Sequence, residues 1–125
     1  MAGLDRATLA HLDDLVEVGM VTPRRAGSLS RRPIWVVVVD GHAYVRSYRG
    51  ESGAWYRQAR ADGQATIGVD GRAIEVGVEP VSDDETNRKV SDAFRAKYGE
   101  RSPRPTETMV GDEVSRTTLR LIRRS

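Results

Sequence analysis

Between residues 46 and 60 the chain reads RSYRGESGAWYRQAR, which sets four arginines, two serines, three aromatics and two glycines within fifteen residues. A guanidinium meets phosphate or carboxylate with a planar fork of donors, and glycine lets a ligand approach the backbone closely. If Arg46 and Ser47 end a strand and Ser52-Gly53 begin a helix, a guanidinium, hydroxyls and free main-chain N–H groups converge on one anion. A phosphate suits such a pocket. Arg49 and Gly50 fall in the intervening turn, and Arg57, one turn into the helix, can reach back to the same anion. The spacing fits equally well a set of solvated arginines, with Trp55 and Tyr56 packing the helix onto its neighbours. The residues alone leave both readings open.

Other chemistries have weaker support. His11 and His42 are the only histidines and sit in unrelated segments, so no metal site is expected. No Gly-x-Ser-x-Gly elbow accompanies them, which argues against a serine triad. The acid pairs Asp13-Asp14 and Asp83-Asp84 are adjacent in sequence and point apart on a helix, so acid–base hydrolysis is not expected. The absence of cysteine excludes disulfides and thiolate chemistry. Twenty basic residues against 18 acids leave a net charge of only +2, too little to wrap duplex DNA, so any anion site is local. Arginine supplies 18 of those 20 basic residues, a bias that genome composition also produces. No segment approaches the ~20 apolar residues of a membrane span, and the N-terminal residues lack a signal-like apolar run. A cytoplasmic protein is the expectation.

The elements that must position the arginine-serine stretch follow from periodicity. With 125 residues, 38% hydrophobic and 30% charged, the chain suits one folded domain over residues 1–125. Leu9, Leu12 and Leu15 recur at helical spacing behind a capping Asp5, predicting a short leading helix on the barrel surface. Alternation from Leu15 to Thr22 reads as a strand, and PRRAGSLSRRP, residues 23–33, as a loop. The β-branched run Ile34 to Val39, then Asp40-Gly41, then His42 to Tyr48, predicts a tight hairpin whose first strand is central and covered on both faces. A short helix follows from Ser52 or Gly53 to Gly63, then a second hairpin, Ala65 to Val69 and Arg72 to Val81, around Asp70-Gly71. The two Val-Asp-Gly turns reflect shared hairpin chemistry and not a repeat.

Ser82-Asp83-Asp84-Glu85 reads as a capping box for a helix carrying Val90, Ala93, Phe94 and Tyr98 and closing near Gly99. The polar, proline-rich stretch from Glu100 to Glu113 reads as a loop, and Thr117 to Leu121 as a last strand. Six strands joined mainly by hairpins, with two or three peripheral helices, predict a mainly β (α+β) fold, a closed or nearly closed antiparallel barrel.

The order PIWVVVVDG, AYVRS, a glycine-containing loop and WYR resembles the flavin-binding split barrels, among them pyridoxamine phosphate oxidase-like and deazaflavin (coenzyme F420)-dependent nitroreductase-like proteins. RPIWVVVVDG, YVRSYRG, WYRQA, AKYG and TTLRL together are similar to a family of small bacterial proteins catalogued as a domain of unknown function. The resemblance runs from Val16 onward. It implies a six-stranded split β-barrel that binds FMN or coenzyme F420. The cofactor phosphate would lie against Arg46, Ser47, Arg49, Ser52 and Arg57, and its ring along Arg32, Pro33, Ile34 and Trp35. It also implies a homodimer, with Trp55, Tyr56 or residues 100–113 reaching the partner.

One departure is Glu51, which stands where many such oxidases carry a basic group and would repel a phosphate unless paired. Three functions follow: an oxidoreductase acting on a small organic substrate, with no catalytic residue nominated; a non-enzymatic ligand-binding barrel without cofactor; and, least supported, a single-stranded nucleic-acid binder using Tyr48, Trp55, Tyr56 and the arginines.

Overall fold

Two Asp-Gly pairs turn the chain most sharply, and both adopt the backbone their hairpins demand. Asp40 and Gly41 have φ of 49° and 80°, Asp70 and Gly71 have 50° and 77°, so both central residues of each turn are left-handed. The structure, a computed structural model, describes residues 3–23 and 27–124. The first hairpin joins β3 (Val37–Val39) to β4 (His42–Val45), and the second joins β5 (Gln64–Val69) to β6 (Arg72–Pro80). With β1 (Val18–Pro23), β2 (Leu29–Ile34) and β7 (Leu119–Arg123) they form one antiparallel sheet in the order β2-β1-β5-β6-β7-β4-β3, curled into a half barrel. The fold is mainly β, as expected, but with seven strands and not six.

The extra strand is β2, in the stretch expected to be loop. Its sequence LSRRPI carries two arginines and a proline, yet six of its residues pair with β1, from Val18↔Ile34 to Pro23↔Leu29. An edge position explains this, because a strand bonded on one side tolerates a residue without an N–H and needs no second apolar face. Residues 24–26 of the expected loop lie outside the described residues. The apolar run that follows is correspondingly split. Ile34 ends β2, Trp35 and Val36 form a corner, and Val37 opens β3, which lies at the other edge of the sheet and not at its centre. Coverage of both faces does hold: Val36 packs into the main core and Val37 into a second one.

That main core fills the barrel with Met20, Val45, Ile67, Val76, Leu119 and Leu121, closed at one end by Leu12 of α1 (Arg6–Asp14) and at the side by Trp55 and Tyr56 of α2 (Ala54–Asp62). Asp5 caps α1 by accepting from Thr8 N at 2.7 Å. The second core lies on the other face of β3 and β4, where Val90, Phe94 and Tyr98 of α3 (Asp84–Tyr98) meet Val37 and Tyr44. Asp83, one residue later than the expected box, caps α3 through Thr86 N at 2.9 Å.

The stretch from Glu100 to Glu113 is helical where a loop was expected: α4 spans Pro103–Met109 and α5 spans Asp112–Ser115. Proline at the first position of α4 is the reason, since its missing N–H is one that a first turn leaves free in any case. Among the described residues no helix is long and apolar enough to cross a membrane.

Candidate functional site

Arg46 and Ser47 follow β4 directly, and strand geometry sends their side chains to opposite faces. Arg46 goes towards α3. Its Nε donates to Thr118 Oγ1 (2.8 Å), Nη1 to Ser91 Oγ and the Met109 carbonyl (both 2.9 Å), and Nη2 to the Asn87 carbonyl (3.0 Å) and Oδ1 (3.4 Å). The guanidinium carbon also lies 5.4 Å from the Phe94 ring centroid. All five N–H donors therefore have acceptors within the chain, and the residue is only 1% exposed. None of these acceptors is a carboxylate. Burial pulls its pKa down to about 10, with a further push from the nearby Arg95 charge.

Ser47 goes the other way, to α2. Its N–H donates to Thr117 Oγ1 at 2.8 Å, while its own Oγ, fully buried, is the one buried side-chain polar atom without a hydrogen-bond partner among the described residues. The next residues turn tightly. Gly50 N donates to the Ser47 carbonyl (2.8 Å) with Gly50 at φ 70°, and a 3-10 turn over Gly50–Ser52 leads into α2. Gly53 is the N-cap of α2 and offers no side chain to the helix. A Cβ at Gly53 would stand 2.3 Å from Ser47 Oγ, so glycine alone leaves that oxygen facing the first turn. The leading N–H groups of a helix have no intrahelical acceptor, and here no side chain supplies one.

These groups open into a cleft of about 490 Å³, within the size range of cofactor sites. Eight of the nine residues nominated from the sequence line it: Arg32, Pro33, Ile34, Trp35, Arg46, Ser47, Arg49 and Ser52. Arg57 does not; it is exposed on α2 outside the lining. Ser52 Oγ is engaged in its own turn, donating to the Arg49 carbonyl at 3.0 Å. Glu51 is exposed and lies outside the cleft lining, between the lining residues Arg49 and Ser52. Trp55 and Tyr56, nominated for a partner chain, are instead 9% and 3% exposed, buried in this chain's own core.

At the other end of the cleft Trp35 lies flat on Tyr98, centroids 3.9 Å apart and planes 2° from parallel. Tyr98 is itself anchored, donating from its hydroxyl to the Val16 carbonyl (2.6 Å) and accepting from Val36 N (3.3 Å). Burial raises that hydroxyl's pKa to about 12. Lys97 braces the same corner through the carbonyls of Val36 (2.7 Å) and Leu12 (3.2 Å), and burial lowers its pKa.

Sequence reasoning missed part of the lining. Pro105 and Met109 come from α4, hidden because PRPTETM was read as loop; proline after a polar Ser102 was the available signal for a helix start. Glu17 and Tyr48 also line the cleft, Tyr48 being 55% exposed. Among the described residues no group of three or more His, Asp or Glu is placed to hold a metal ion.

Several solved structures share this fold at low identity. The conserved hypothetical protein Rv2991 from Mycobacterium tuberculosis matches with a TM-score of 0.64 at 14% identity, covering 99% of this chain and 82% of its own. An F420-H2 dependent reductase, FDR-A, matches at 0.58 and 14%, covering 98% of each chain. A putative pyridoxamine 5'-phosphate oxidase from Listeria innocua matches at 0.56 and 15%, covering 93% and 89%. Such identities establish the split-barrel fold and nothing finer. No curated protein matches the sequence. A family model does, over residues 8–121, which is most of the chain. The chain therefore belongs to DUF2255, the family described as an uncharacterized protein conserved in bacteria.

Proposed function

We propose that the cleft binds a flavin-type cofactor, FMN or the deazaflavin F420, by its phosphate, and that the protein is an oxidoreductase for a small organic substrate. One observation carries this reading: a buried, unpartnered hydroxyl, Ser47 Oγ, lies against an uncapped helix start, in room that only the missing Cβ of Gly53 leaves it. Buried polar atoms are rarely left without a partner, and a helix N-terminus attracts anions. Phosphate oxygens would supply acceptors for the hydroxyl and the free N–H groups together. Arg49, on the rim, adds a cation that can follow the ligand in. Arg32 to Trp35 would flank the ring, with the Trp35 plane fixed by Tyr98. When bound, the cofactor supplies the hydride chemistry. The protein's part is to orient it and to exclude water between α4 and the β2–β3 corner.

The similar structures support this reading by what they are, an F420-H2 dependent reductase and a putative pyridoxamine 5'-phosphate oxidase. A homodimer belongs to the same reading. Light scattering on the eluting protein checks it, a monomer mass counting against it.

The test is the absorbance spectrum of the native protein, followed by titration with FMN, F420 and riboflavin, which lacks the phosphate. The reading expects micromolar or tighter binding of FMN or F420, and at least tenfold weaker binding of riboflavin than of FMN if FMN is the cofactor. Failure to bind either phosphorylated cofactor overturns it and leaves a barrel without cofactor. A salt-sensitive complex with single-stranded RNA would then favour nucleic acid.

A further inference from the structure

Arg46 is a buried cation without an ion-pair partner among the described residues. Its five donors end on two hydroxyls, two carbonyls and one amide oxygen, all neutral. Hydrogen bonds of this kind satisfy geometry but do not cancel charge, and an uncompensated buried charge is destabilising. The nearby Arg95 charge is repulsive. The guanidinium is turned to α3, while the cleft that Arg46 and Ser47 both line holds two further unpartnered polar groups, the Ser47 hydroxyl and the start of α2. The two deficits are complementary, and a low-dielectric interior carries the interaction across the backbone of these adjacent residues.

We infer that Arg46 is a positioning residue whose missing counter-charge is the anion bound in the cleft, so that ligand charge and the Arg46 site are energetically coupled without contact. This rests on the cleft being an anion site, as proposed above. Arg46 then differs from a phosphate ligand in a definite way. Its fork stays locked on α3, α4 and Thr118 just before β7, fixing Ser47 and the Met109 end of α4, while its charge acts at a distance. Thr117 and Thr118 complete the arrangement. Thr118 accepts from Arg46 and Thr117 from Ser47 N, and both hydroxyls donate onward to the last carbonyls of α5, those of Ser115 and Val114.

Asn87 offers a test that leaves Arg46 and the cleft untouched. Its Oδ1 is already 3.4 Å from Arg46 Nη2, so Asn87→Asp supplies a near-isosteric counter-charge. The position lies in the first turns of α3, where an acid suits the helix dipole. The lost hydrogen bond from Asn87 Nδ2 to the Val81 carbonyl affects all ligands alike. FMN, riboflavin and inorganic phosphate are titrated into wild type and Asn87→Asp, with thermal midpoints read on the unliganded proteins.

The expected result is a higher midpoint for Asn87→Asp, FMN and phosphate binding weakened on the order of tenfold, and riboflavin binding unchanged. An internal carboxylate that leaves the FMN-to-riboflavin ratio as in wild type overturns the coupling while the cofactor reading stands. Equal affinity of wild type for FMN and riboflavin, with no phosphate binding, removes the anion site and the coupling together. Should Asn87→Asp fail to fold, Ser91→Asp places a carboxylate against Arg46 Nη1, whose Ser91 partner is 2.9 Å away, and is read the same way.

Discussion

Helices α3 and α2 begin in opposite ways. Asp83 caps α3, Asp84 and Glu85 follow in its first turn, and its flank receives the Arg46 fork with every donor matched. Hydrogen bonding holds the Asp83 carboxyl below its usual pKa, the side-chain bond from Thr86 contributing most. By contrast α2 begins at a bare glycine, has no acid in its first turn, and faces a serine hydroxyl with no partner. One helix end is finished by the chain itself, and the other has no side-chain cap; the proposed ligand would finish it. Arg46 and Ser47, neighbours in sequence, belong to these two sides. The difference teaches that adjacent residues of one motif can serve the fold and the site separately.

The comparison breaks first if the closed side proves dispensable. Arg46→Ala leaves the acceptors on α3, α4 and Thr118 unmatched and is expected to cost about 3–5 kcal/mol in urea denaturation; a loss under ~1 kcal/mol would put Arg46 outside the structural frame. Tyr98 gives a pH signature of the same side. Its pKa is raised from 10.0 to about 12, chiefly by burial. The unfolded chain therefore ionises first, and the contribution of Tyr98, roughly 2–3 kcal/mol, is present below pH 10 and lost as pH rises to about 12. Arg46, held at about 10 in the folded chain, works the opposite way over the same window, so the Tyr98 contribution is read as the loss of wild type relative to Tyr98→Phe in denaturation followed from about pH 10 to 12.

On the open side, Gly53→Ala sharpens the contrast. Gly53 has φ −62° and ψ 130°, a conformation alanine adopts freely, so only the 2.3 Å clash with Ser47 Oγ opposes it. FMN binding should fall more than tenfold for a stability change of about 1–3 kcal/mol. Smallest is Asp83→Ala, which removes a cap on the closed side. It should lower the thermal midpoint modestly and leave FMN affinity as it was.

Much of this was legible in the sequence because local chemistry decided it. The Asp-Gly hairpins, the Asp5 cap and the Gly63 end of α2 each depend on a few adjacent residues. What escaped was set by tertiary context. LSRRPI became a strand because an exposed edge tolerates its arginines and proline, and PRPTETM became a helix packed between α3 and the cleft. In the site, residue types brought Arg32 to Trp35, Arg46, Ser47, Arg49 and Ser52 to one cleft, but type alone does not say which way a side chain points. The alternation that sends Arg46 to α3 while Ser47 faces α2 becomes visible only once both helices are in place.

Ser47→Ala tests the central claim most directly, because it sets fold against site at one atom. Deleting a buried hydroxyl that has no partner should leave the unliganded protein as stable as wild type, or more stable by up to about 1 kcal/mol. In the same preparation FMN affinity should drop at least tenfold while riboflavin affinity holds. A variant that loses stability and keeps its FMN affinity would contradict the account, making Ser47 part of the frame and leaving the start of α2 without a ligand.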